Sequence, residues 1–67
     1  MTNQIIGQAK YFPLGIVVKS DVFGYGHVVG FMETLNTKEI LVVVKFAKRG
    51  KPEGELIECY PDDLHRL

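Results

Sequence analysis

The chain lacks the features that would tie it to an oxidising compartment, a membrane or a polyanion. Its 67 residues include one cysteine, Cys59, which has no partner for an internal disulfide bond. No apolar run reaches the roughly eighteen residues of a membrane-spanning helix, and no charged-then-apolar leader begins the chain. Eight basic residues balance eight acidic ones, whereas nucleic-acid-binding domains normally carry an excess of Lys and Arg. We therefore expect a cytoplasmic protein without membrane contact.

The length of the chain limits how stable it can be alone. A domain of this size buries only about 60% of the surface that its unfolded form exposes. Its core rarely supplies more than about 3–5 kcal/mol of stability. Hydrophobic residues make up 46% of the chain and charged residues 24%, which is typical of a folded globular protein and not of a disordered one. We therefore expect one domain that gains stability by associating with another copy or another protein.

Apolar alternation and turn residues predict an all-β chain. We predict strands at 15–20, 27–34, 39–46, 55–60 and 65–67, separated by turns at 23–26 and 35–38 and by a loop at 48–54. A 3₁₀ turn is predicted at 61–64, and Gly30 is typical of a bulge in the second strand. Five short, bent strands predict an SH3-like small barrel at 14–67, preceded by an N-terminal extension at 1–13.

The third predicted strand is apolar on both faces. Ile40, Val42, Val44 and Phe46 share one face, and Leu41 and Val43 share the other. Val42, Val44 and Phe46 of the first face belong to a predicted core that also includes Ile16 or Val18, Val28, Ile57 and Leu64. A one-layer barrel has a single interior, so Leu41 and Val43 need cover from residues 1–13, from a second copy or from another protein. We predict a homodimer or higher oligomer through Leu41 and Val43 of this strand or through the Glu58–Tyr60 face. We expect residues 1–10 to be partly mobile or engaged with a neighbour, with 4–8 as a possible extra strand.

One set of motifs resembles a docking barrel of the transcription and repair machinery. Gly15, Val18, the run Phe23-Gly24-Tyr25-Gly26-His27-Val28 and the later Val44-Lys45-Phe46 stand in the order of a Tudor-like domain. They resemble the C-terminal tails of superfamily 1 repair helicases and the polymerase-interacting domain of CarD-type regulators. That resemblance implies an SH3-like barrel that docks on RNA polymerase. This chain has Ser20 where the helicase tails usually have His.

A second set of motifs resembles the plasmid-borne type II dihydrofolate reductase. Segments 26–34 (Gly-His-Val-Val-Gly-Phe-Met-Glu-Thr) and 57–61 (Ile-Glu-Cys-Tyr-Pro) match that family in order and spacing. The resemblance implies a pore formed by four barrels and lined by Tyr60 and by Glu58, which stands where the family has Gln. The family's ligand-binding Lys falls at Ser20. Because these two changes oppose an anionic ligand, we expect neither reductase activity nor a bound cofactor.

No group of residues in the sequence has the spacing of a catalytic or metal site. His27 and His65 are the only histidines, and neither has a recognisable catalytic partner. Asp62, Asp63 and His65 lie within one turn but lack a fourth ligand, so we expect no metal. Cys59 is expected to pack inside as an unreactive thiol. We therefore predict a non-catalytic binding module.

The predicted partner of this module is another protein. Its predicted contact residues are Tyr25, His27, Phe31, Glu58 and Tyr60, whereas Phe23 is expected to cap the core. Two alternatives stay open. One is a homo-oligomer with a central pore for a small ligand, and the other is a nucleic-acid-binding barrel that uses Lys48, Arg49 and Lys51. A solvated hairpin tip is the simpler interpretation of these three cations, because Glu53 and Glu55 follow them.

Overall fold

The computed structural model describes residues 11–67 and shows one antiparallel sheet. Its strands are β1 (Val17–Ser20), β2 (Gly24–Glu33), β3 (Ile40–Lys48), β4 (Lys51–Cys59) and β5 (Leu64–Arg66), and a 3₁₀ turn at Pro61–Asp63 joins β4 to β5. The order across the sheet is β4-β3-β2-β1-β5. The all-β prediction and the 3₁₀ turn are confirmed. The sheet is open, because β4 and β5 form its two edges and no ladder joins them within the described residues.

The long central strands carry the core. Val28 of β2 pairs with Val44 of β3, and Phe31 pairs with Val42. The register shifts between Val28 and Gly30, which confirms the predicted bulge. A bulge bends its strand and increases the local twist. The bend in β2 therefore curves the sheet around its buried apolar side chains.

The core is close to the predicted one and extends further towards the N-terminus. Its buried members are Phe12, Val18, Val28, Val42, Val44, Phe46, Cys59 and Leu64, with Ile16, Phe31 and Ile57 packed partly buried against them. Phe12 is fully buried, so this residue of the predicted N-terminal extension packs in the core. The predictions for residues 1–10 lie outside the described residues.

The prediction of a loop at 48–54 is wrong. β3 continues to Lys48, Arg49 and Gly50 make a tight turn, and β4 already begins at Lys51. Gly50 supplies the positive φ of 82° that the turn needs. Pro52 fits in β4 because this strand forms an edge of the sheet, where a missing N–H need not break a ladder.

The glycine-rich turn predicted at 23–26 lies earlier than expected. The turn occupies residues 21–23, where the backbone N–H groups of Val22 and Phe23 each donate to Ser20 Oγ at 3.2 Å. Gly26 instead lies within β2, opposite Phe46. A Cβ at Gly26 would lie 2.7 Å from the backbone oxygen of Lys45 and from a ring carbon of Phe46. Gly26 is therefore required by close packing.

The first half of β3 is buried on both faces within the single chain. Ile40, Leu41 and Val42 are all buried, and Leu41 exposes only 8% of its surface. Val43, opposite Gly30 and Glu58, is half-buried. The chain itself therefore covers Leu41, which removes the main reason for predicting a homo-oligomer through this face; the oligomer itself stays a prediction.

Candidate binding surfaces

A shallow hollow at the surface of the sheet is here called the outer hollow. It has a volume of about 380 Å³ and is formed across β1, β2, β3 and the start of β4. Its lining residues are Val17, Tyr25, Gly26, His27, Lys45, Phe46, Ala47, Pro52, Glu53 and Gly54. Tyr25 and His27 reach it because glycines and the core residue Val28 occupy the alternate positions of β2.

The outer hollow presents mostly apolar surface around the exposed ring of Tyr25. Tyr25 is 59% exposed, and the Lys19 ammonium lies 5.7 Å from the centre of its ring. His27 pairs across the sheet with Val17 on one side and Lys45 on the other. The hollow therefore offers an exposed aromatic ring and apolar surface, and its lining includes one Lys and one Glu.

A second, more enclosed hollow lies at the end of β4, and it is here called the carboxylate groove. The β1–β2 turn, the 3₁₀ turn and β5 surround it, and its volume is about 420 Å³. Its lining residues are Ser20, Asp21, Val22, Phe23, Glu58, Cys59, Tyr60, Asp62, Asp63 and His65. Four of the chain's eight acidic residues line this groove, whereas no Lys or Arg of residues 11–67 does.

Two polar side chains that line the groove, Ser20 and Cys59, already form hydrogen bonds. Ser20 is buried and holds the β1–β2 turn through its Oγ. Cys59 Sγ lies 3.8 Å from the carbonyl oxygen of Ile57, to which it donates. Burial raises the pKa of the Cys59 thiol, and the nearby Asp63 carboxylate raises it further. Cys59 is therefore a packed thiol and not an activated nucleophile.

The structure divides the five predicted contact residues among three places. Tyr25 and His27 lie together in the outer hollow, and Glu58 and Tyr60 lie together in the carboxylate groove. Phe31 lies in neither hollow, because it pairs with Val42 and packs partly buried against the core.

The acidic side of the groove was not predicted from the sequence. The Phe23 ring lies 5.4 Å from that of Phe46, as expected for a residue that caps the core, yet Phe23 stays 46% exposed in the groove. Asp21 lies on the turn before Phe23, and its carboxylate is 3.8 Å from His65 Nε2 on β5. The separation of these residues in the sequence hid their proximity, since only the pairing of β1 with β5 brings them together.

The cations predicted for nucleic acid lie at the β3–β4 hairpin tip. Lys48 forms an ion pair with Glu55 across the hairpin at 2.9 Å. The hydrogen bond from Lys48 lowers the pKa of Glu55, the charge of Lys48 lowers it further, and Lys51 adds a smaller effect. Arg49 and Lys51 are exposed. The positive charge of the tip is thus partly neutralised, which favours the interpretation as a solvated hairpin.

Neither metal chemistry nor a family assignment follows from these surfaces. Within residues 11–67 no three His, Cys, Asp or Glu side chains come close enough to hold a metal ion. The same part of the chain contains no helix that is both long and apolar enough to cross a membrane. No protein-family model matches the chain, and comparison with curated proteins and with solved structures gives no match. The function must therefore be inferred from the two hollows.

Proposed function

We propose that this chain is a non-catalytic protein-binding module built on an SH3-like small barrel. The sheet order, the bulge in β2 and the 3₁₀ turn that returns β5 to β1 support this architecture. Strong bends of this kind are what a five-stranded sheet needs in order to wrap around one core. The resemblance to helicase tails and CarD-type regulators makes transcription or repair machinery the first partner to test.

The observation that carries the proposal is the exposure of aromatic side chains inside hollows. Tyr25, Phe23 and Tyr60 each keep about half of their surface in solvent, and each lies in one of the two hollows. Burying about 60 Å² more of an aromatic side chain is worth roughly 1.5 kcal/mol. Tyrosine is also enriched among the residues that contribute most to protein interfaces. A partner surface is therefore the natural cover for these rings.

The groups that could perform catalysis are not arranged to do so. His27 is exposed, and among the described residues no hydrogen bond or ion pair orients its ring. A general base normally has such an orienting partner and lies near the nucleophile it serves. Cys59 is buried with a raised pKa. These features favour a binding function over catalysis.

Site-specific photo-crosslinking in the cells of origin tests the proposal. A photoreactive phenylalanine analogue replaces Tyr25 or Tyr60 in the full chain, and the same analogue at Leu35 is the control. Leu35 is 93% exposed at the β2–β3 turn and lies in neither hollow. We expect discrete protein adducts from positions 25 or 60 that position 35 does not give. Equal adducts from all three positions, or none from 25 and 60, would contradict the proposal.

A second candidate function is a small-ligand site in a homo-oligomer. Ser20, Glu58 and Tyr60, the three positions compared above with type II dihydrofolate reductase, all line the carboxylate groove. Light scattering tests this candidate, because a pore requires several copies and a monomer at high concentration rejects it. Even in an oligomer we expect no NADPH-dependent reduction of dihydrofolate, since Glu58 places negative charge beside an anionic ligand.

A further inference from the structure

The carboxylate groove combines apolar walls with a concentration of negative charge. Val22, Phe23 and Tyr60 are exposed apolar or aromatic residues that line it. Asp21, Glu58, Asp62 and Asp63 are all exposed and line it as well. The chain has no net charge, so this concentration of carboxylates is local. Carboxylates that line one concave surface raise the local concentration of cations and oppose anions.

The arrangement of the carboxylates fits an extended cation better than a metal ion. A metal needs ligands that converge within bonding distance of one point. No three His, Cys, Asp or Glu side chains of residues 11–67 do so. The acidic groups instead come from three separate elements: the β1–β2 turn, the end of β4 and the 3₁₀ turn. A chain with several cationic side chains can meet such spaced charges, whereas a single ion cannot.

We propose that the carboxylate groove binds a cationic segment of a partner protein, with an arginine or lysine side chain placed against Phe23 or Tyr60. This inference rests on the proposed binding function and specifies the chemistry of the partner. Aromatic faces attract guanidinium and ammonium groups, and arginine is the cation most often found there. The surrounding carboxylates orient the cationic segment and increase its rate of association. A volume of about 420 Å³ lies within the usual range for ligand pockets and admits long side chains.

The test measures binding of defined peptides to the full chain by fluorescence anisotropy. The probe is a fluorescein-labelled peptide of alternating glycine and arginine, and the matched probes carry lysine or glutamate in place of arginine. We expect the arginine and lysine probes to bind, with weaker binding at high salt because exposed charges are screened. We expect no binding of the glutamate probe. Failure of both cationic probes, or equal binding of the glutamate probe, would overturn the inference.

Matched variants separate a specific groove from general charge attraction. The groove variant combines Glu58→Gln with Asp62→Asn, and the control combines Glu33→Gln with Glu39→Gln, which removes the same charge near the β2–β3 turn. All four side chains are exposed, so both variants should keep the wild-type circular dichroism spectrum. We expect about tenfold weaker binding for the groove variant and a change of at most about twofold for the control. Equal losses in the two variants would refute a dedicated groove.

The aromatic contribution is tested separately. Tyr60→Phe keeps the ring and should bind the arginine probe as wild type does, whereas Tyr60→Ala should bind it markedly more weakly. Equal binding by the two variants would remove the role of the ring. If photo-crosslinking at Tyr60 yields a protein partner while the cationic probes fail to bind, the binding function stands and the chemistry assigned to its partner is wrong.

Discussion

Replacement of Phe46 is the most direct test of the fold. Phe46 lies in β3 with 2% of its surface exposed, and it belongs to the single core cluster of the described residues. Its ring lies 5.4 Å from that of Phe23 and directly against the place where Gly26 lacks a side chain. Its removal therefore leaves a cavity and also takes away an aromatic partner.

The expected loss is comparable with the whole stability of the domain. A buried Phe→Ala change costs about 3–5 kcal/mol, including the cavity it leaves. A core of this size rarely supplies more than about 3–5 kcal/mol. We therefore expect Phe46→Ala to be largely unfolded in dilute buffer. Phe46→Leu keeps most of the volume and should cost about 1–2 kcal/mol.

Thermal and urea unfolding followed by circular dichroism measure both variants. A loss of about 1–2 kcal/mol lowers the Tm of a domain this small by roughly 4–16 °C, which is the shift expected for Phe46→Leu. The control is Leu35→Ala, because Leu35 is 93% exposed, and it should change stability by about 0.5 kcal/mol or less. A Phe46→Ala protein with the same Tm as the wild type would refute the register of β3.

Three further predictions concern packing, charge and thiol reactivity. Gly26→Ala forces a Cβ against backbone and should cost about 1–3 kcal/mol in urea unfolding, whereas Gly30→Ala, with no atom within 4 Å of its Cβ position, should cost much less; equal costs would show that close packing does not select Gly26. Lys48→Gln should raise the lowered pKa of Glu55 in an NMR titration. Because that pKa is lowered in the folded state, the stabilisation from the pair is present at neutral pH and lost as the pH falls through it; an unchanged pKa in the variant would rule out the ion pair in solution. Cys59 should react slowly with a thiol reagent in the native state and rapidly in urea, and equal rates would contradict its burial.

Strong local patterns made much of the fold predictable. The apolar alternation from Ile40 to Phe46 predicted β3, and Gly30 predicted the bulge beside it. Six predicted core residues are buried with Cys59: Val18, Val28, Val42, Val44, Phe46 and Leu64. Such predictions succeed because side-chain direction in a strand has a period of two and depends only on neighbouring residues.

Predictions failed where distant residues override local preference. Glycine and proline at 50–54 indicated a loop, but β4 contains both. Pro52 fits because β4 is an edge strand, and Gly54 adopts a φ of 77° within the strand because glycine tolerates positive φ. No local pattern marked Phe12 as a core residue, because its burial depends on contacts with residues distant in the sequence. Gly26 was interpreted as a turn residue, although contacts with β3 are what require it.

The sequence by itself determined the β character, the bulge and the residues that must avoid water, since these follow from covalent neighbours and side-chain chemistry. Only the tertiary structure decided which exposed groups share a surface. Asp21 and His65 meet because β5 pairs with β1, and Glu58 and Tyr60 join them because the 3₁₀ turn redirects the chain after β4. Electrostatic character depends on distances through space, so a chain with no net charge can still hold an acidic groove.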